Sequence, residues 1–244
     1  MTREKRWALI TGASGEIGRA IGMRLASQGI PLYLHYFRSQ DRLDPLLTYC
    51  QEREVPAYAL QADLRDPEQV SRLFSQMPVK PLLLVNNASI DHVGTIDQVT
   101  TDQFDDLVAV NIRSAFFVCQ SALPQMIREQ YGRIINLSSI WGLTGGACEV
   151  LYSLTKGAIV SFSKALAKEV APSGVTVNAV APGAIEGGMM ARFSREEQLA
   201  IAEEIPAGRL GRPEEVASIV AYLLSEEAGY ITGQVVSANG GWYT

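Results

Sequence analysis

Short, almost continuously apolar runs alternate with longer amphipathic stretches along the whole chain. The runs fall at 7–11 (WALIT), 31–36 (PLYLHY), 57–62 (AYALQA), 82–87 (LLLVNN), 133–138 (RIINLS), 176–182 (TVNAVAP) and 234–239 (QVVSAN). A strand that is apolar on both sides must be covered on both faces, as in a parallel sheet flanked by helices. The intervening stretches predict helices near 16–28, 40–53, 67–76, 101–128, 150–171 and 213–224. The last opens on Pro213, Glu214 and Glu215, a proline and two acids where a helix start favours them. This alternation predicts a Rossmann-type doubly wound α/β fold, with seven parallel strands in a single domain over 1–244. Ligands bind beyond the carboxyl ends of such strands. TGASGEIG, ADLRD, NNAS, NLSSIWG and APGAIEGG are the unusual stretches expected there.

Charge and cysteine usage narrow the function. The net charge is −5 and no basic run stands out, which argues against nucleic acid as a partner. The N-terminal MTREKRW has no signal-peptide pattern and no apolar run approaches about 20 residues, so no membrane partner and a cytoplasmic location are expected. Cys50, Cys119 and Cys148 lie far apart and form no CxxC pair. They read as core thiols, with neither a metal site nor a disulfide framework.

The first unusual stretch follows the first predicted strand and opens a helix. Glycines there let the backbone approach a pyrophosphate, and the helix start offers free N–H groups. A dinucleotide reader is then expected after the second strand. An acid at that place favours NAD, but LHYFRSQ presents Tyr36, Arg38 and Ser39. A cation and a hydroxyl suit a 2′-phosphate, so NADP(H) is expected over NAD(H).

Tyr152 and Lys156 are four residues apart in a helical stretch and share one face. An ammonium near a phenol favours phenolate and makes the hydroxyl a usable proton donor. Ser139 stands at the end of a strand thirteen residues earlier, and Asn111 lies on the long helix before it.

With TGASGEIG, ADL, NNAS, VNI, NLSS, YSLTK, VNAVAPG, GRPEEVA and ITGQVVSANGG in order, the chain resembles the short-chain dehydrogenase/reductase family over essentially its whole length. Within the family it is most similar to bacterial 3-oxoacyl-[acyl-carrier-protein] reductases. The resemblance implies that Ser139 holds the substrate carbonyl, Tyr152 donates the proton, and Lys156 lowers the tyrosine pKa and binds the nicotinamide ribose. Asn111 would position a relay water. It also implies a cofactor surface of Gly12, Ser14, Gly15, Ile17, Gly18, Tyr36, Arg38, Ser39, Asp63, Leu64, Asn87, Ala88, Tyr152, Lys156, Pro182, Gly183 and Ile185. A homotetramer is implied as well. The long helices and the tail ending in Trp242 and Tyr243 look like subunit contacts.

Three positions depart from the family pattern. Glu16 replaces the middle glycine of the turn, with Gly15 one place early. Ser89 replaces the last glycine of NNAG, adding a side chain near the adenosine ribose. Gly187 replaces a threonine whose hydroxyl often meets the cofactor. An outward-turned Glu16 is expected, with some cofactor affinity lost to like-charge repulsion. The stretch 187–205 reads as a lid with Met189, Met190 and Phe193 on its apolar face. His92 reads as an exposed loop histidine.

The expected reaction is NADPH-dependent reduction of a ketone, foremost a 3-oxoacyl thioester. Two alternatives stay open. Trp141, Cys148 and Glu149, between the serine and the tyrosine, resemble reductases of 5-aminopentanone-modified elongation factor P, whose amine Glu149 or Glu186 would meet. The positions where carrier-protein reductases often show cations hold Gln130, Tyr131, Ser173 and Gly174, with Arg128 near. The other alternative is a catalytically silent NADP-binding protein.

Overall fold

A computed structural model describes residues 6–244. The segment MTREK, part of the stretch read above for a leader, lies outside the described residues. Seven strands form one all-parallel sheet: β1 (Ala8–Ile10), β2 (Leu32–Tyr36), β3 (Ala57–Gln61), β4 (Leu83–Asn86), β5 (Gly132–Leu137), β6 (Val175–Pro182) and β7 (Val235–Ala238). Their order is β3-β2-β1-β4-β5-β6-β7, so the chain reverses direction across the sheet between β1 and β4. Ile10 pairs with Leu34 on one side and Val85 on the other, which opens the crevice beyond residue 10.

Alternation along β1 shows how the core is divided. Ala8 and Ile10 point to a cluster built with α1 (Glu16–Ala26), α2 (Asp44–Glu52) and α9 (Pro213–Leu224). Leu9 points to the opposite cluster, built with α3 (Pro67–Ser75), α5 (Ser114–Arg128) and α7 (Val150–Val170). All three strand residues are fully buried, each large one contributing about 1.5–3 kcal/mol over an exposed side chain. Local signals set several helix starts. Asp66 accepts from the Glu68 N–H ahead of α3. Thr100 and Gln103 form a capping box at α4 (Thr101–Val108). Ser194 and Glu197 form another at α8 (Arg195–Glu204).

The predicted helix 101–128 is interrupted. A π-helical turn, Ala109–Arg113, separates α4 from α5 and carries Asn111. Such turns are frequent at functional sites. The span Thr101–Arg128 is also long and apolar enough to cross a membrane by length and composition, which the sequence reading overlooked. Val118, Cys119, Ala122 and Met126 turn it into the core, so it is a core helix of this sheet. A short helix, α6 (Trp141–Thr144), was not predicted; it forms just after Ser139.

The reading of all three cysteines as core thiols holds for Cys50 and Cys119, whereas Cys148 is exposed in the loop before α7. The lid expectation is also corrected in part. Met190 is buried and Phe193 packs beside it against Ile205 and Leu210, but Met189 faces solvent. Trp242 joins that cluster and lies 5.5 Å from the Trp141 ring, so the tail folds back over α6. Tyr243 remains exposed.

Candidate active site

The serine, tyrosine and lysine meet because α7 is tied to the end of β5. Ser138 Oγ donates to the Lys156 carbonyl at 2.8 Å, and Lys156 Nζ donates to the Leu137 carbonyl at 2.9 Å. A Cβ at Gly142 would fall 2.7 Å from the Lys156 carbonyl carbon, so only glycine lets α6 and α7 approach this closely. Below them, Asn86 Nδ2 donates to Asn136 Oδ1 and Asn136 Nδ2 donates to Ser163 Oγ, both at 2.8 Å. This buried ladder joins β4, β5 and α7, and it leaves Asn86 Oδ1 buried without a partner among the described residues.

Ser139 lies two residues past β5. The Trp141 N–H donates to its Oγ at 3.2 Å, and the serine hydroxyl lies close enough to the Tyr152 phenol to favour its ionised form. Lys156 Nζ stands 5.5 Å from the Tyr152 ring centre. Both side chains are buried. Burial pushes the lysine down to about 8. Burial also raises the tyrosine well above its ordinary value, and the carboxylates of Glu149 and Asp91 add to that rise. The nearby Ser139 hydroxyl and the Arg192 guanidinium oppose it. The lowered tyrosine pKa expected from the sequence is therefore absent from the protein alone. Desolvation outweighs the neighbouring ammonium there.

Asn111 is fully engaged. Its Nδ2 donates to the Ile90 carbonyl at 2.8 Å and to Thr155 Oγ1 at 3.0 Å. Its Oδ1 accepts from the Ile90 N–H at 2.9 Å and from Ser89 Oγ at 3.1 Å. The side chain braces the loop after β4 against α7 and has no capacity left for a water. A relay water would have to meet the backbone of the π-helical turn. Ser89, expected near the adenosine ribose, instead turns its hydroxyl to this amide.

The dinucleotide loop sits between β1 and α1. Gly12 has φ +62°, and a Cβ there would lie 2.8 Å from Ala88 Cα. A Cβ at Gly18 would lie 2.5 Å from the Gly12 carbonyl oxygen. Asn87 Nδ2 donates to the Thr11 and Gly12 carbonyls, at 3.0 and 2.9 Å, while Thr11 Oγ1 accepts from the N–H groups of Asn87 and Ala88. Gly15 is the N-cap of α1 and supplies no side-chain cap, which leaves the first-turn N–H groups for an anion. Ser14 contributes its carbonyl to Arg19 Nη1 at 3.0 Å. Ile17 packs on the core behind the loop. Glu16 is turned aside by Arg19, whose Nη2 meets its carboxylate at 2.7 Å.

Beyond β2, Tyr36 donates to Gln40 Oε1 at 2.6 Å, and Ser39 is half-buried. Arg38 lies 4.7 Å over the Phe37 ring and acts on Asp63 through space. Asp63 is chelated by Arg65 at 2.7–3.1 Å, which holds the carboxyl below its ordinary range; Leu64 beside it is buried. Past β6, Gly183 packs against Asn239 and Ile185 bridges to Gly211. Pro182, the last residue of β6, is paired with Ala238. These groups line the carboxyl edge of the sheet and can hold an extended dinucleotide. The best sign of fit is Lys156. Its buried ammonium has three donors, and the Leu137 carbonyl is its hydrogen-bond partner among the described residues.

Several relevant residues were not singled out from sequence. Asp91 and Arg192 form an ion pair, and Arg192 also stands 3.9 Å from Glu149. Together they join the segment after Gly187 to the rim of the Tyr152 pocket. Burial raises the Glu149 carboxyl. The acid in IDHVG was the available signal for Asp91; Arg192 had none beyond its place in the lid stretch. His92, read as exposed, is half-buried, with Nε2 buried and unpartnered. Glu186 is exposed, which separates it from Glu149.

Residues 12–243 match a family model described as enoyl-(acyl carrier protein) reductase. The chain is 48% identical over 238 residues to the uncharacterized oxidoreductase YmfI of Bacillus subtilis, covering 97% of this chain and 98% of that one. It is 38% identical over 239 residues to the 3-oxoacyl-[acyl-carrier-protein] reductase FabG of Aquifex aeolicus, covering 97% and 96%. A crystal structure of 3-oxoacyl-[acyl-carrier protein] reductase from Brucella melitensis superposes with a TM-score of 0.93 at 29% identity, covering 100% of this chain and 93% of the other.

Proposed function

The chain belongs to the short-chain dehydrogenase/reductase family, and from that premise we propose that it reduces a ketone to a secondary alcohol with NADPH. The observation that carries this reading is the convergence of the Ser139 hydroxyl and the Tyr152 phenol beside the buried Lys156 ammonium. A protein that only bound nucleotide would have no use for that pair. Ser139 holds the carbonyl oxygen and Tyr152 Oη delivers the proton to it. Lys156 binds the ribose hydroxyls and keeps a positive charge near the phenol. The nicotinamide, when bound, supplies the hydride. Arg38, following a β2 end that carries Tyr36 where an acid would favour NAD, supports NADPH over NADH.

Two substrates compete. The names of the Aquifex and Brucella relatives favour a 3-oxoacyl thioester. The charge of the pocket favours a ketone carrying an amine, as in 5-aminopentanone-modified elongation factor P. Asp91 and Glu149 both act on Tyr152 and share a single guanidinium, Arg192, which leaves the rim net negative. Gln130, Tyr131, Ser173 and Gly174 supply no cation for an acidic carrier protein, although Arg128 is near them in sequence. The chain's own residues thus lean to the aminoketone.

A cytoplasmic homotetramer completes the reading. Exposed Phe104, Phe116 and Ile127 on α4 and α5, Leu154 on α7 and Tyr222 beside the edge strand β7 support subunit contacts. The test is titration of the protein with NADPH and NADH by tryptophan fluorescence, followed by turnover on a 3-oxobutanoyl thioester and on an aminoketone. NADPH binding tighter than NADH, with turnover of either ketone, supports the reading. Failure to bind either nucleotide sinks it.

A further inference from the structure

His35 stands at the end of β2, directly beneath the dinucleotide loop, and is 3% exposed. Three hydrogen bonds run through this residue. The Gly12 N–H donates to its Nδ1 at 3.0 Å. Its Nε2 meets the Ala62 carbonyl at 3.1 Å. Its own carbonyl accepts from the Ala13 N–H at 2.8 Å. The partners fix the tautomer, because a backbone N–H only donates and a carbonyl only accepts: Nδ1 is bare and Nε2 carries the proton.

Gly12 is held from both ends. The imidazole takes its N–H, and the Asn87 amide donates to its carbonyl at 2.9 Å. The glycine has φ +62°, a conformation with little preference of its own to hold it. The other ring nitrogen reaches the residue before Asp63, where β3 ends and the adenosine side of the crevice begins. One ring therefore bolts the phosphate loop to the far wall of the cofactor crevice. Asp63 is the charged group that acts on the ring, and Arg65 chelates it.

We propose that His35 is a positioning residue for the dinucleotide, its neutral Nε2–H imidazole holding the Gly12 peptide in the shape that receives the pyrophosphate. This rests on the NADPH reading above. A histidine that merely fills the core would leave cofactor affinity alone.

Amide substitutions separate the two ring bonds. His35→Asn keeps an acceptor near Nδ1 and loses the Ala62 contact. His35→Gln reaches the Nε2 position and loses the Gly12 contact. His35→Leu loses both. The dissociation constant for NADPH is measured for each by tryptophan fluorescence, with kcat at saturating NADPH on whichever ketone turns over. Nitrogen NMR of the wild-type apoprotein reads the tautomer, and the two histidines of the chain make that spectrum simple.

The expected result is a bare Nδ1 in the wild-type ring and His35→Asn binding within about threefold of wild type. His35→Gln and His35→Leu should bind about tenfold more weakly, with kcat within about twofold. A protonated Nδ1 at neutral pH overturns the proposal, as does wild-type affinity in His35→Gln. Should His35→Leu fail to fold, the Asn and Gln pair and the tautomer decide it. Wild-type protein that binds no dinucleotide overturns both this proposal and the functional reading, whereas intact wild-type binding with unchanged variants overturns this one alone.

Discussion

Glu16 and Gly187 fill one space. A Cβ built on Gly187 would fall 2.9 Å from Glu16 Cγ, and Gly187 has φ +74° and ψ −160°. The two departures from the family pattern are thus neighbours in the fold, although 171 positions separate them in sequence. The acid in the phosphate loop leans away from the anion site, under the hinge of the lid, with Arg19 at 2.7 Å. The affinity loss expected from its charge is therefore blunted by a partner, and an acid in the first turn also suits the helix dipole.

The pairing gives unequal expectations for two variants. Glu16→Gly should change the NADPH dissociation constant by less than about threefold, since pair and dipole already offset the charge. Arg19→Gln should weaken binding by about five- to tenfold, because it releases an unpaired carboxylate beside the pyrophosphate. Fluorescence titration at low and high salt checks both, and the Arg19→Gln defect should shrink as salt rises. Tighter binding by tenfold or more in Glu16→Gly would mean that repulsion survives the pairing.

Tyr152→Phe should lower kcat by about 10²–10⁴-fold or more while leaving the NADPH dissociation constant nearly unchanged. The phenol ring packs with Leu107 and Leu151, so phenylalanine keeps the pocket's apolar wall. Normal turnover in this variant would remove the tyrosine from the chemistry.

Lys156 is a buried ammonium whose pKa is lowered to about 8 by desolvation. Its folded value lies below its unfolded value, so the unfolded chain binds more protons across roughly pH 8 to 10.5 and stability rises with pH there. At neutral pH the burial cost stands. Lys156→Met should therefore stabilise the apoprotein by about 2–3 kcal/mol, or about 5 °C in Tm, while weakening NADPH binding. Calorimetry of the apo variant checks this. A lower Tm would show that the ammonium is better solvated than its surroundings indicate.

Much of this site was legible in advance because each piece is local. Strand ends, the Tyr152–Lys156 spacing and the glycines of the loop are set by residues within a few positions of one another. The doubly wound parallel sheet followed from the alternation of apolar runs and crossover chirality. What could not be read depends on contacts across the sheet. The π-helical turn at Asn111 leaves no periodic mark in an apolar helix, and its side-chain partners come from the loop after β4 and from α7. The bolt from His35 to Gly12 and Ala62 joins three strand ends, and the sequence shows only a histidine in an apolar run. Arg192 reaches Asp91 across 101 positions. The sign of the Tyr152 shift was misjudged for the same reason. Helix spacing reveals the lysine but neither the burial nor the two distant carboxylates.

Burial lowers His35 to about 4, so acid should test the fold through this ring. The folded pKa lies below the ordinary value of 6.5, and between the two the unfolded chain takes up the proton. The contribution of His35 is present in full above about pH 6.5 and is lost as pH falls toward 4. Over that window the loss approaches about 3 kcal/mol. Urea unfolding of wild type and His35→Gln at pH 7, 6 and 5 measures it. Wild type should lose more stability than the variant at each step down, because both share every other titrating group. Parallel curves would show that the imidazole charges as readily in the folded chain as in the unfolded one.

Glu149 and Asp91 raise the Tyr152 pKa, and the rise from Glu149 should be separable. Glu149→Gln removes a negative charge near the phenol and leaves the ring's burial intact, so the tyrosine pKa must fall. Tyr152 acts as an acid in the reductive direction, and activity declines as it loses its proton. The alkaline limb of the kcat/KM profile should therefore move to lower pH in the variant. The same substitution discriminates the substrates. An aminoketone loses its carboxylate partner, and its kcat/KM at pH 7 should drop about tenfold or more, whereas a 3-oxobutanoyl thioester should be nearly unaffected. Equal effects on both ketones would count against the ammonium reading while leaving ketone reduction in place.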